Sequence, residues 1–156
     1  MFMLRISKLT DYGTVLMAYL ATDPMHTHNA KDIAEHTRIA LPTVSKLLKL
    51  LAKGGLLVAL RGAKGGYSLA RLPSEITLAE IIHILEGNIG LTECSHHVSN
   101  CSMEMRCAIR GNWRTISDVI HEALRGITLA KMAEPLNKNV VPISTIKVNK
   151  LNAEQL

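Results

Sequence analysis

Ile39–Ala70 reads IALPTVSKLLKLLAKGGLLVALRGAKGGYSLA, and this stretch decides the fold. Pro42 suits the start of a helix, because the N–H it lacks would find no partner there. Val44, Leu47, Leu48 and Leu51 follow at i, i+3, i+4 and i+7, one apolar stripe. Thr43, Lys46, Lys49 and Lys53 fall on the opposite side, and Gly54-Gly55 close the helix. Two short β-prone runs come next, Leu56–Leu60 and Tyr67–Leu69. Between them, Arg61-Gly62-Ala63-Lys64-Gly65-Gly66 sets two cations among three glycines. Helix and then basic hairpin is the sequence form of a winged helix-turn-helix. Its helix enters a major groove of DNA, and its hairpin tip reaches the backbone or minor groove. A solvated lysine face is common on helices. Arg61 and Lys64, pushed outward on a glycine-rich turn directly after it, favour the polyanion reading.

Upstream, the spacing predicts two shorter helices. Thr10 is the expected N-cap of the first, with Asp11 in the first turn where the helix dipole favours an acid. Val15, Leu16, Ala18, Tyr19 and Leu20 supply its buried side, it runs to about Ala21, and Asp23-Pro24 breaks it. The second starts near Asn29 or Ala30, turns Ile33 and Ala34 inward, and ends near Thr37. A four-residue connection then leads to the Pro42 helix, the spacing a helix-turn-helix needs.

Charge follows the same plan. Over the 156 residues the net charge is +5, but residues 1–71 carry ten Lys/Arg against four Asp/Glu, and the remainder eight against nine. The basic half is the half with the helix and hairpin, which implies a polyanionic partner. Aromatics make up only 3% of the chain, which argues against single-strand and RNA readers that work by base stacking. No apolar run is long enough to span a bilayer and no signal-peptide core is present, so a cytoplasmic protein with no membrane partner is expected. There is no G-x-G-x-x-G or P-loop fingerprint and no nucleophile–base pair, so no catalytic residue is assigned.

Downstream, Thr77 is the expected cap of a helix over Leu78–Glu86, with Leu78, Ile81, Ile82 and Leu85 on one face and Gly87 at its end. Residues 88–111 lose periodicity and hold Cys94, Cys101 and Cys107 beside Glu93, His96, His97, Glu104 and Arg106. The spacing lacks the paired C-x2-4-C of zinc modules. Long spacers suit a loop around a larger object such as an iron–sulfur cluster, with a fourth ligand from elsewhere. Zinc held with His96 or His97, and reduced cysteines without metal, stay open on spacing alone. From Asn112 a helix is expected to restart, with Trp113, Ile116, Ile120, Leu124 and Ile127 recurring at three and four. Following a compact domain, it reads as a dimer helix, the rival being a helix folded back as core. The expected organisation is therefore a mainly α chain: a winged helix-turn-helix domain with a small β-hairpin wing over 1–86, a cysteine loop over 87–111, a long C-terminal dimerisation helix over 112–135, and a flexible tail over 136–156.

These blocks, in this order, resemble a known family. They are Ile6-Ser7-Lys8-Leu9-Thr10-Asp11-Tyr12-Gly13, Pro42-Thr43-Val44-Ser45-Lys46-Leu47-Leu48-Lys49, Arg61-Gly62-Ala63-Lys64-Gly65-Gly66-Tyr67, Leu85-Glu86-Gly87, Leu91-Thr92-Glu93-Cys94, and Cys107 followed by Arg110-Gly111-Asn112-Trp113. Over residues 4–135 the chain resembles the IscR/NsrR-type winged-helix iron–sulfur regulators, most closely the branch that regulates SUF-system cluster assembly. The resemblance implies a homodimeric transcriptional regulator, expected to be a repressor, on a near-palindromic double-stranded DNA operator. It implies an iron–sulfur cluster, 2Fe–2S or 4Fe–4S and liable to be lost on preparation in air, that tunes DNA binding and so controls cluster-assembly genes. It implies Cys94, Cys101 and Cys107 as cluster ligands, Arg61 at the minor groove, and Thr43, Ser45 and Lys46 toward the major groove. Lys8, Lys49 and Lys64, with Lys46 and Lys53, are the expected phosphate contacts. Cys94 and Cys101 stand one residue further apart than in the assembly-regulator prototype, and Arg110 replaces a histidine that follows the prototype's last cysteine. In the nitric-oxide-sensing relatives an aspartate in the first helix of the other subunit completes the set, and Asp11 of the partner subunit is the matching candidate. An NO-sensing relative, and a winged-helix regulator working by thiol oxidation or structural zinc, are the alternatives.

Overall fold

The computed structural model describes residues 6–62, 65–87 and 108–134. The element order is α1 (Lys8–Thr22), α2 (Ala30–Thr37), α3 (Leu41–Lys53), β1 (Leu57–Leu60), β2 (Gly66–Leu69), a 3-10 turn (Pro73–Glu75), α4 (Leu78–Glu86), α5 (Arg110–Arg125) and α6 (Leu129–Ala133). β1 and β2 form an antiparallel hairpin, with Leu57 opposite Leu69 and Leu60 opposite Gly66. A mainly helical chain with a two-stranded wing is the fold the sequence called for.

α1 is the hub. It packs against α2, α3, α4, α6 and β2. Its Leu16 and Met17 are fully buried with Ile33 of α2 and Val44, Leu47, Leu48 and Leu51 of α3. Leu56, Ile76 and Ile81 close the same core. Each buried side chain of this size contributes roughly 1.5–3 kcal/mol. The predicted α3 stripe is thus the core face of the helix.

Caps differ from expectation at one helix. Ser7, not Thr10, caps α1: its hydroxyl accepts the Thr10 N–H at 3.2 Å, which leaves Thr10 inside the first turn and fully buried. Asn29 caps α2 by accepting from the Lys31 and Asp32 amides. Thr77 caps α4 in a reciprocal box, its hydroxyl accepting from the Glu80 N–H and the Glu80 carboxylate accepting from the Thr77 N–H. Leu41 rather than Pro42 opens α3, so the proline is second and still costs no hydrogen bond. Between α2 and α3 the turn uses no glycine. Arg38 takes the left-handed conformation at φ 55°, a cost of roughly 1–2 kcal/mol. Buried Ile39, and the Thr37 hydroxyl that accepts the Ile39 N–H and donates to the Ile33 carbonyl, hold it there.

The largest departure is at the C-terminal end. The expected single helix over 112–135 is two: α5 starts at Arg110, stops at Gly126, and α6 follows. Between them the chain pairs with the approach to α4. The Leu78 N–H donates to the Ile127 carbonyl at 2.9 Å, and the Leu129 N–H donates to the Ile76 carbonyl at 2.8 Å. Thr128 then caps α6, and Leu129 is fully buried in the core against α1. The core of the winged domain is therefore completed from beyond α5. α5 packs on α4 and buries Ser117, whereas Ile109, Ile116 and Val119 stay exposed on another side. Ile116, which the sequence places on the apolar stripe of a dimer helix, is 44% exposed in the single chain.

Candidate nucleic-acid interface

α3 presents its polar face outward. Lys46, Lys49 and Lys53 are exposed, while Thr43 and Ser45 are half-buried at the margins of that face. No Asp or Glu occurs anywhere in α3. Among the described residues none of these lysines, nor Arg61, has an ion-pair partner. The charge of the face is uncompensated, so its field projects into solvent. Lys8, the first residue of α1, is also exposed and holds its Nζ 5.6 Å from the centre of the Tyr12 ring.

The wing follows α3 directly. Arg61 leaves the end of β1 exposed to solvent, and Gly62 takes φ 118°, a conformation that favours glycine. The Gly65 N–H donates to the Gly62 carbonyl at 2.9 Å and closes the turn. Lys64 lies outside the described residues. On its other side β2 is braced by the chain before α2: the His28 N–H donates to the Tyr67 carbonyl at 2.9 Å, and the Tyr67 N–H donates to the His28 carbonyl at 2.8 Å. Thus the wing is fastened to the helix-turn-helix by backbone pairing, which fixes the position of Arg61 relative to α3. The approach is close. A Cβ on Gly66 would lie 2.5 Å from the His28 carbonyl oxygen. Gly66→Ala must push β2 away from His28, at a cost of about 1–3 kcal/mol by denaturant melts. It should weaken DNA binding more than Ser68→Ala in the same strand.

Asp11 sits in the first turn of α1 as expected, exposed to solvent. Among the described residues its carboxylate has no hydrogen bond and no ion pair. It is free to serve a group outside its own fold. Cys94, Cys101 and Cys107 lie outside the described residues. Among the described residues no group of three His, Cys, Asp or Glu side chains is arranged to hold a metal ion.

Sequence reasoning missed the role of Glu86, the last residue of α4 and the doorway to the cysteine stretch. Its Oε1 accepts the Ser7 N–H at 2.6 Å, tying the end of α4 to the start of α1. Burial alone would raise its pKa; hydrogen bonds from the Ser7 hydroxyl, Thr10 and the Ser7 amide outweigh this and hold it below the ordinary glutamate value. Such a group adds stability above the unfolded-state pKa and loses it as the pH falls through the folded value. Glu80, where burial is likewise outweighed by Arg71 at 2.6 Å and by Thr77, behaves in the same direction. In a thermal-melt series from neutral to acid pH, Glu86→Gln should flatten the acid decline while leaving the Glu80 part in place. Both groups are solvent-screened, so the change is small.

The profile of the family described as "Rrf2: Iron-dependent Transcriptional regulator" matches residues 6–135. The chain is 33% identical over 123 residues to the HTH-type transcriptional regulator NsrR of Shouchella clausii, covering 78% of each protein. It is 30% identical over 129 residues to the HTH-type transcriptional regulator IscR of Aliivibrio salmonicida, covering 80% of this chain and 76% of that one. Among solved structures, CymR (YrzC), the global cysteine regulator of B. subtilis, superposes with a TM-score of 0.67 at 32% identity, over 84% of this chain and 97% of that one. Among the described residues no helix is long and apolar enough to cross a membrane.

Proposed function

The chain belongs to the Rrf2 family of transcriptional regulators, and on that premise we propose that it is a cytoplasmic, homodimeric repressor whose operator binding is tuned by an iron–sulfur cluster. The observation that carries the DNA-binding reading is the α3 face: Lys46, Lys49 and Lys53 exposed, unpaired among the described residues and without an acid on the helix, beside a wing that ends in Arg61. α3 enters the major groove. Lys8, Lys49, Lys53 and Lys64 meet phosphates, and Arg61 reaches the minor groove. Ile116 and Val119 on α5, with Ile109 just before it, are exposed and seat against the same residues of a second copy, and the two-fold axis makes the operator near-palindromic. The named relatives are regulators, which agrees with a protein that performs no catalysis.

Cys94, Cys101 and Cys107 hold the cluster, with Asp11 of the partner subunit as fourth ligand, and 2Fe–2S and 4Fe–4S forms both fit this donor set. The free, outward carboxylate of Asp11 supports that role. A bound cluster supplies an iron centre that oxygen, nitric oxide or iron shortage dismantles. The chain's own part is mechanical. Glu86 fastens the entry to the cysteine stretch onto Ser7, four residues before Asp11, so a change in that stretch is passed to the helix on which α3 packs. The genes of iron–sulfur cluster assembly are the proposed targets. The test is the visible spectrum of protein purified without oxygen, with iron and acid-labile sulfide counted per chain. A brown protein that loses its colour in Cys101→Ser supports the reading. A protein still colourless after incubation with iron and sulfide leaves a winged-helix regulator that works through thiol oxidation or zinc.

A further inference from the structure

We propose that Lys46 and the apolar entry surface of α3 read the half-site, so that the operator positions beneath them are guanine and thymine on the contacted strand. This rests on the reading of α3 as a major-groove helix. It goes further by naming the base chemistry and the residue, Lys46, that sets it.

The argument starts from what the helix offers. Its exposed residues are Leu41, Pro42, Lys46, Lys49 and Lys53, with Ser45 half-buried beside them. The major-groove edge of guanine shows two acceptors, N7 and O6; adenine shows an acceptor and a donor, cytosine a donor, and thymine an acceptor with a methyl group. Bidentate recognition of adenine needs an Asn or Gln, and recognition of cytosine needs a carboxylate. α3 contains none of these residue types. An ammonium group is a donor only, and guanine is the one base whose groove edge answers it with two acceptors.

Position selects among the lysines. Residues near the N-terminus of a recognition helix meet base edges. Lys46 lies in the second turn of α3, and Lys53 is its last residue. The two are separated by about 10.5 Å along the axis, most of the width of a groove about 12 Å across. With Lys46 at the floor, Lys53 is at the rim among phosphates, and Lys49 lies between them. Leu41, 45% exposed at the very start of α3, and the adjoining Pro42 present an apolar surface where the helix enters. The thymine methyl is the one apolar group on the groove floor that such a surface can cover. Among the described residues no acid pairs with Lys46, so its charge is available to the base.

The experiment is selection from a random duplex pool with the full chain purified without oxygen, followed by affinity measurements on the best site. The expected result is one guanine in each half-site preferred by about tenfold over other bases, with thymine beside it. Lys46→Ala should erase the preference at that position, whereas Lys49→Ala should weaken all sites alike and leave the selected sequence as it was. Replacing that guanine by 7-deazaguanine, which removes the N7 acceptor, should lower affinity in the native protein and not in Lys46→Ala. A strong selected site with adenine or cytosine at the α3 positions, or one indifferent to both changes, overturns the inference while DNA binding stands. A pool that yields no selected sequence, from a protein that binds no duplex even at low salt, overturns the DNA-binding reading itself, and the inference falls with it.

Discussion

Replacing Lys46, Lys49 and Lys53 together with alanine is expected to lower affinity for duplex DNA on the order of a hundredfold near physiological salt. All three side chains are exposed and make no ion pair among the described residues, so removing them disturbs no internal contact. Each lysine that neutralises a phosphate releases counterions, and the slope of log K against log salt should fall by about one unit each for Lys49 and Lys53, or roughly two for the triple variant, Lys46 being assigned to a base edge. Anisotropy titrations across roughly 50–200 mM salt check this. The circular dichroism spectrum and the melting temperature should stay at native values. An unchanged slope would mean that this face is only a solvated helix surface and that DNA, if bound, is bound elsewhere.

The second large effect lies in the core. Leu129→Ala should cost about 2–5 kcal/mol, because a fully buried leucine is lost and the cavity left behind collapses only in part. Leu129 is the anchor of α6. Its loss also weakens the pairing of Ile76 with Leu129 and of Leu78 with Ile127, which sets the approach to α4. The discriminating detail is concentration. Leu129 is buried against its own α1, so the loss should be the same at every protein concentration. A loss that shrinks as protein concentration rises would mean that Leu129 works across a dimer. Met132→Ala is the contrast: that side chain is 39% exposed, and little change in stability is expected.

These two experiments probe a part of the fold that the sequence made plain and a part that it hid. α3 was readable because every local signal agreed. An apolar stripe of helical period, a proline at the start and glycines at the end all marked one helix, and the tertiary core used that same stripe. The capping box of α4 was readable for the same reason. The break after α5 was obscured because the apolar stripe continues to Ile127, three residues after Leu124. Only Gly126 marked the stop, and what turns the chain back is backbone pairing with residues far away in sequence. The brace on the wing was hidden in a similar way. His28 meets Tyr67 through main-chain groups, which carry no signal of residue type; the trace left in the sequence is Gly66, needed for the close approach. At α1, Ser7 and Thr10 are both good caps, and the choice fell to Ser7 because Thr10 is drawn into the core. Of the DNA-facing candidates, Lys46, Lys49 and Arg61 are exposed as expected, whereas Thr43 and Ser45 sit at the margins of the face. The exposed carboxylate of Asp11 was legible only as a first-turn acid; its freedom from any partner among the described residues is a property of the folded chain.

The most direct test of the central claim, that one chain joins a DNA-reading helix to a cluster-dependent switch, is a comparison of affinities. Protein purified without oxygen is titrated onto its selected operator before and after the iron is removed. The account expects the two affinities to differ by about tenfold or more, with Cys101→Ser matching the iron-free protein throughout. Equal affinities before and after, in a preparation shown to contain iron and sulfide, would contradict it and would leave a DNA-binding protein whose cluster has no hold on its DNA.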